Sequence, residues 1–583
     1  MDKKKSMGIP HRSGRRRFCG NRYTSDSNTE KTSSAAKKLK NGDPQFQVTI
    51  HPSLAYVIVQ WSVFVLLQQR VACVKCGKKV EFGKSDLKGL GFQLEIICDC
   101  EKSEPIPSSP KINSGYEINR RIVYAMRLIG IGFYGLLNFC GLMDISASAL
   151  SSTGYYNCLQ HIYCAVEAVT ETVFKKAARE EQEMNKEKGL PEDRLTVSGD
   201  GSWPKRGFTA LLGIISLIGK YTNKVIDVAV RSKICQACSN YSQKFPENTP
   251  EFDAWFTEHC EAENCTRDHD GSAGLIEVEG VQEMFLRSVE KYGVMYEYYI
   301  GDGDSKTFKR LEETEPYGKA LTVKKKACVL RVGKSIYRRG KEAKKNLAKI
   351  KRALKAQEKK EALERAQLSK LSGYFKKAVL AHPDSVADMK KAILASLYHK
   401  CSTDAKPQHE YCPAGADSWC GYQKTVATDK LHNFKHPSAF DEEVKDLLQP
   451  IYEELTDEKV LERCLGANTQ NNNESYNSCV WNIAPKHKFV GKQTLEIAAF
   501  SAACIFNEGL LPILKVMEVM GVKIGPQARQ FVDKANDRRV DRAELEATEA
   551  SKEHRTATRN AKILENDAYE DQEGVVYEAG LDK

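Results

Sequence analysis

The stretch RLTVSGDGSWPKRG, Arg194 to Gly207, decides how this sequence is read. Leu195, Val197 and the small residues around them predict a short strand. The strand ends on a carboxylate, Asp200, set between glycines and followed by Trp203. Asp and Gly together favour a turn, which is the plain reading of such an ending. The sharper reading is a metal-holding carboxylate at a strand end, and it requires partner acids elsewhere. The glycines let the backbone turn or approach a substrate closely, and Trp203 is expected to pack under the site.

Around this stretch the pattern is that of an α/β domain. LTVSGD, FTALLGIISLIG and KVIDVAVRS predict three strands separated by turn-like breaks. VQEMFLRSVEKYG places Val281, Met284, Phe285 and Val289 on one helical face. MYEYYIGDGD predicts a fourth strand, again ending on acids, Asp302 and Asp304. A third acid, Glu474, opens the apolar helix of NNNESYNSCVWNIAPK. Two strand-end aspartates and one helix-borne glutamate form an oxygen set suited to Mg²⁺ or Mn²⁺. Paired ions in such a set activate an attacking oxygen and stabilise a leaving one in phosphoryl transfer.

At 583 residues the chain exceeds the size of a single core, so several domains are expected. Residues 1–45 predict a disordered basic tail, with Arg15–Arg17 and Lys37–Lys40 as a candidate nuclear address. A zinc-ribbon-like module is expected over 46–112 and a helical region over 113–192. The first part of the α/β core spans 193–311, with a Cys/His insert at 235–274. Residues 312–465 read as a charged helical segment with no clear strand run. The core resumes over 466–525, and 526–583 is a charged tail. No apolar leader opens the sequence, so no secretory signal is expected. The apolar stretches Ser53–Gln69 and Leu128–Met143 are too short to span a membrane and are expected to be buried elements.

The net charge of +11 is concentrated. Residues 1–45 carry 12 Lys/Arg against 4 Asp/Glu, and Lys324–Lys360 carries 16 against 2. Lys324, Lys325, Lys326, Arg331, Lys334, Arg338 and Arg339 are therefore candidate contacts to DNA phosphates. A solvated helix face explains the second run equally simply.

Nineteen cysteines without a secretory leader point to zinc rather than disulfides. Cys73, Cys76, Cys98 and Cys100 offer four thiolates in two close pairs. Cys235, Cys238, His259 and Cys265 form a second candidate set, with Cys260 and His269 as competitors. A third group holds His399, Cys401, His409, Cys412 and Cys420, one ligand too many for a tetrahedral ion. Cys401, His409, Cys412 and Cys420 are the set expected there.

VSGDGSWPKRGF, YYIGDGDSKTF and NNNESYNSCVWNIAPK resemble the three catalytic blocks of animal-type Mutator-like DDE transposases. RRIVYAMRLIG, GSAGLIEVEG, MKKAILASLYH and PQHEYCPAGADSWCGY extend the resemblance from about Phe46 onward. It implies an RNase H-like catalytic core interrupted by a large helical insertion, with Asp200, Asp302 and Glu474 as the metal-binding triad and Asp304 as the alternative second acid. It also implies cleavage and strand transfer on double-stranded DNA, at transposon ends and at a target, in the nucleus, by a homo-oligomer with no membrane association. One departure stands out. Relatives carry a Cys-x2-His pair where this sequence has Cys328-Val-Leu-Arg331. Arginine cannot bind zinc, but its planar fork suits phosphate. That departure motivates the alternative of a domesticated, non-catalytic DNA-binding protein.

Overall fold

The computed structural model describes residues 33–39, 44–146, 150–204, 210–262, 265–301, 306–353, 365–437, 439–440, 442–548 and scattered positions between 550 and 558. The chain divides into two units: Asn41–Asn536, and a small unit of Met1–Lys40 with Asp537–Lys583. In the small unit a short helix, Ser34–Leu39, buries Ala35, Ala36 and Lys38. There the Ser33 N–H donates to Glu544 Oε1 at 2.6 Å.

In the large unit, β1 (Glu81–Lys88) and β2 (Gly91–Cys98) form an antiparallel hairpin, registered from Glu81 opposite Ile97 to Lys88 opposite Gly91. The apolar stretch preceding it is not buried, contrary to expectation. The helix Ser62–Gln68 has no buried residue, and Val57, Ile58, Val63, Val65 and Leu66 are exposed. The reason is that the hairpin presents little surface to cover them. Trp61 and Phe64 make the contact, with ring centroids 4.8 Å apart and Phe64 5.8 Å from Phe82. The second apolar stretch is also largely surface. α1 (Glu117–Leu128) and α2 (Phe133–Leu142) meet at a bend of 110°, and in α2 Leu136 and Cys140 are buried while Tyr134, Phe139 and Leu142 are exposed. No single helix among the described residues is long and apolar enough to cross a membrane.

The 36-residue helix α3 (Ser152–Glu187) starts where Ser151 Oγ accepts the Gly154 N–H at 3.0 Å, a serine N-cap. Leu159, Ile162, Val166, Val169, Val173 and Ala177 recur every three or four residues and are buried, so one stripe of α3 faces the core.

The central sheet is mixed. Its strands are β3 (Arg194–Ser202), β4 (Leu212–Gly219), β5 (Val225–Ser232), β6 (Met295–Gly301) and β7 (Lys324–Ala327). They lie in the order β5-β4-β3-β6-β7. β3, β4 and β5 are an antiparallel meander; β6 is parallel to β3, and β7 parallel to β6. All eight residues of β4 are buried, which explains why LGIISLIG reads as a continuous apolar run rather than an alternation. Helix α4 (Ala273–Leu286) covers one face through Ile276, Val281, Met284 and Phe285. The other face is covered by Tyr476, Val480, Leu495 and Ala499.

The edge strand β7 corrects the reading of 312–465 as strand-free. Its sequence is KKKA, with no strand signature of its own; pairing with β6 makes it a strand. Lysines on an edge strand discourage pairing with another chain. Beyond β7 begins α5 (Val329–Ala353), followed by further helices with their own apolar core, including Ile336, Leu371, Phe375, Ile393 and Tyr452. This helical excursion returns to where it left: the Ala327 N–H donates to Arg463 O at 2.7 Å and the Val329 N–H to Asn468 O at 2.9 Å. The chain then enters α6 (Asn471–Ile483) and α7 (Lys492–Glu508), which pack on the sheet.

Candidate functional sites

Asp200 sits near the end of β3, and its neighbours explain the glycines flanking it. Side chains alternate between the faces of a strand. A Cβ at Gly199 would lie 2.5 Å from the Tyr299 ring, and one at Gly301 would lie 2.4 Å from the same ring. A Cβ at Gly201 would lie 2.9 Å from both Glu277 Oε2 and the Trp203 ring. Tyr299 and Trp203 thus occupy the space that side chains would need. The glycines are clearance rather than turn formers, and the Trp203 ring lies beside Gly201.

On the other face, α6 lies along β3 in register. Ser198 Oγ donates to Asn473 Oδ1 at 2.8 Å, Asn477 Nδ2 donates to Asp200 Oδ2 at 2.9 Å, and Trp481 Nε1 donates to Ser202 Oγ at 2.8 Å. Two strand residues advance about 6.6 Å. Four helix residues advance about 6.0 Å. The 198-200-202 row of the strand therefore matches the 473-477-481 row of the helix. Gln470 Nε2 adds a bond to the Gly199 carbonyl at 2.7 Å. Asn473, Asn477 and Trp481 were not singled out from the sequence, although their spacing of four on a helix that starts with four polar residues is a readable signal.

Glu474 precedes Asn477 by three residues, so it lies on the same side of α6, one turn nearer the N-terminus. It is exposed, in the first turn of the helix. β6 runs parallel to β3 with Ile300 beside Ser198, and so reaches the same end of the sheet as Asp200. Asp302 and Asp304 lie outside the described residues. A cavity of about 140 Å³ opens beside Ser198 and the turn that joins β4 to β5, lined also by Ile300, Lys220, Asn468 and Asn472. Burial, helped by nearby Lys326, lowers the Lys220 pKa.

Three Cys/His groups converge, each with ligand atoms within 4.8 Å of one another. A tetrahedral zinc with Zn–S of about 2.3 Å needs sulfurs about 3.8 Å apart. In the N-terminal module Cys73 Sγ is 3.4 Å from Cys100 Sγ and Cys76 Sγ is 3.5 Å from Cys98 Sγ. The backbone N–H groups of Cys76 and then Lys75 pull the Cys73 thiol down to about 6, toward the thiolate a metal binds.

In the second group Cys235 Sγ is 3.3 Å from His259 Nε2 and Cys238 Sγ is 3.7 Å from Cys265 Sγ. Burial opposes ionisation of Cys235, but N–H groups from Cys238 and Thr266 and the contact with His259 outweigh it and lower its pKa to about 6. His259 is held by stacking on Trp255, centroids 4.6 Å apart, and Trp255 stacks on Tyr241 at 4.1 Å. The two competitors fall outside the group. Cys260 is exposed. His269 is engaged by Glu279 Oε2 at 2.6 Å and the Ser272 carbonyl at 3.0 Å.

The third group corrects the expected ligand set. His399, not Cys401, joins His409, Cys412 and Cys420. His399 Nδ1 is 3.5 Å from Cys420 Sγ, and His409 Nδ1 is 3.4 Å from the same sulfur. The short 3₁₀ turn His399–Cys401 sends Cys401 the other way, into the core of the helical excursion. Burial there pushes its thiol up to about 11. Burial lowers His409 to about 4, with His399 and His436 adding to the shift, so the imidazole is a neutral donor at ordinary pH.

The basic run divides by structure. Lys324 pairs with Glu297 at 2.8 Å, Arg339 pairs with Glu454, and Lys326 is half-buried. Lys325 stands 5.7 Å from the centre of the Phe308 ring. Arg331, Lys334 and Arg338 follow helical spacing on α5, and Lys334 and Arg338 are exposed. The opposite face of α5 is packed: Gly333 and Gly340 meet Lys376 and Leu368, and Ile336 is buried. Cys328 is buried at the junction of β7 and α5.

The fold is a mixed α/β one, with a carboxylate near the end of the middle strand of its sheet and three Cys/His groups compatible with zinc. The family is more specific: the family model Mutator-like transposase matches residues 58–420, and the chain belongs to that family. Membership gives it a transposase-related function with DNA as its partner. The matched stretch ends before Glu474. Neither a curated protein nor a solved structure matches the chain.

Proposed function

We propose that this chain is a DDE transposase that cuts DNA at transposon ends and joins the freed 3′ hydroxyl to a target, with Asp200, Asp302 and Glu474 holding Mg²⁺ or Mn²⁺. The observation that carries the reading is the docking of α6 on β3, which puts Glu474 one turn from the residue bonded to Asp200. The sheet order supports an RNase H-like core: an antiparallel meander whose first strand is flanked by a parallel fourth, then a fifth. In this reading the helical excursion after β7 is an insertion between the second and third acids.

The residues fit a hard cation. Asp200 and Glu474 are carboxylates, the donors Mg²⁺ prefers. Asn477 Oδ1 is buried without a hydrogen-bond partner among the described residues, an unspent acceptor beside Asp200. When bound, the metal supplies positive charge to the phosphate and raises the acidity of the attacking hydroxyl. The chain does the rest by positioning. Asn477 holds one oxygen of Asp200. Glu474, exposed at the helix start, faces incoming substrate. Arg331, Lys334 and Arg338 supply phosphate contacts, as does Lys220 in the adjacent cavity. No protein nucleophile is needed.

The three Cys/His groups are read as zinc sites that staple, in turn, the N-terminal hairpin, the insert after β5 and the helical insertion. The basic N-terminal runs are read as a nuclear address, and assembly as a homo-oligomer holds two DNA ends. Mg²⁺- or Mn²⁺-dependent nicking that disappears in Asp200→Ala and Glu474→Ala tests the catalytic reading, and unchanged nicking in either variant refutes it. Arg331, in place of the relatives' histidine, favours a second reading as a domesticated DNA-binding protein. That reading requires salt-sensitive DNA binding that persists without metal and without Glu474.

A further inference from the structure

The third Cys/His group has a second layer of side chains. His409 points Nδ1 at the thiols of Cys412 and Cys420, 3.7 and 3.4 Å away. The other ring nitrogen, Nε2, lies 2.9 Å from His436 Nε2 and 2.9 Å from Ser402 Oγ. His436 Nδ1 lies 2.6 Å from Asp404 Oδ1, and the His436 backbone N–H donates to that same oxygen at 2.9 Å. The His436 side chain is only 6% exposed. Its ring is nearly parallel to that of His409, centroids 5.1 Å apart, and Phe434 meets it edge-on at 5.0 Å.

One arrangement of protons satisfies every contact in this row and leaves His409 able to bind metal. A carboxylate only accepts, so His436 Nδ1 carries the proton that meets Asp404. In that arrangement His436 Nε2 is the acceptor of the pair it makes with His409 Nε2. Two facing Nε2 atoms at 2.9 Å need one proton between them, and here His409 supplies it. A neutral His409 protonated at Nε2 has its lone pair on Nδ1, the atom aimed at the thiols. We infer that His436 and Asp404 are positioning residues of a zinc centre formed by His399, His409, Cys412 and Cys420. They fix the tautomer and ring plane in which His409 binds metal. Both act through His409 rather than on the metal. The inference rests on reading this group as a zinc site.

The test uses the full chain and zinc itself. Zinc content and competition with a chromophoric chelator are measured for wild type, Cys420→Ala, His436→Leu, His436→Gln and Asp404→Asn, and visible spectra are recorded after cobalt substitution. Wild type is expected to hold one more zinc than Cys420→Ala. His436→Leu is expected to bind that zinc about 10- to 100-fold more weakly. The other two sites stay unchanged, and the cobalt bands of the third site shift. His436→Gln, whose side-chain carbonyl can still accept from His409, recovers most of the affinity, and Asp404→Asn falls between. Unchanged affinity in His436→Leu, with zinc lost in Cys420→Ala, overturns the positioning role and leaves the zinc reading intact. Equal zinc content in wild type and Cys420→Ala overturns the zinc reading itself. Loss in His436→Gln as complete as in Cys420→Ala makes His436 a ligand and also overturns the positioning role. Should His436→Leu not fold, the contrast between His436→Gln and Asp404→Asn still decides.

Discussion

Asn477→Ala separates catalytic alignment from stability. Asn477 makes one described side-chain bond, its Nδ2 donating to Asp200 Oδ2 at 2.9 Å, while its Oδ1 is buried without a partner. A hydrogen bond to a charged group contributes about 1.5–3 kcal/mol. If that bond holds the carboxylate in its working position, its loss slows cleavage about 10- to 150-fold, at 1.36 kcal/mol per decade. Stability moves much less, because the alanine also removes a buried carbonyl that no group satisfies; a net change within about 1 kcal/mol is expected. Asn473→Ala is the contrast. Asn473 is fully buried and bonds to Ser198 and Ser216 through both side-chain atoms, so its truncation is expected to destabilise by about 2–4 kcal/mol. The assay is single-turnover nicking of supercoiled plasmid in Mn²⁺, beside denaturant unfolding of each variant. Nicking by Asn477→Ala at the wild-type rate, with Asp200→Ala inactive, would refute the alignment argument. So would a stability loss as large as that of Asn473→Ala.

Three further outcomes follow from the geometry. Gly199→Ala drives a methyl against the Tyr299 ring and is expected to cost about 1–3 kcal/mol in unfolding experiments; Tyr299→Leu in the same chain should recover part of it. Hydrogen bonds from Lys88 and then Lys111 lower the Asp86 pKa from 3.8 to about 2, so its contribution is present above pH 3.8 and fades as pH falls toward 2. Trp61 fluorescence should report that acid transition in the N-terminal hairpin, and Asp86→Asn should flatten it. Replacing Lys334 and Arg338 together by glutamine is expected to weaken DNA binding uniformly across sequences. The slope of log affinity against log salt should fall by about 2, and an unchanged slope would remove this face of α5 from the interface.

The strands around Asp200 were legible because β-branched and aliphatic runs state their own conformation, as in LGIISLIG and VIDVAVRS. β7 was not, because KKKA becomes a strand only through its partner β6. Hydropathy named Ser53–Gln69 correctly as apolar but could not say whether enough neighbouring surface exists to cover it; much of it is exposed. Cysteine spacing located all three Cys/His groups. It could not choose between His399 and Cys401, since a 3₁₀ turn, not sequence separation, decides which side chain faces Cys412. The amide row of α6 escaped notice because asparagines in a helix that starts NNNE read as solvent-facing until the strand beneath them is known.

The two hydrogen bonds that join Ala327 to Arg463 and Val329 to Asn468 make a stem from which the helical excursion hangs. Lengthening, trimming or swapping what lies beyond a closed stem leaves the spacing of its two feet unchanged. Helix α6 starts a few residues past the second foot, so its grip on β3 is insulated from whatever the excursion carries. Changes in the length or content of the excursion are thereby expected to leave the seating of α6 on β3 as it is.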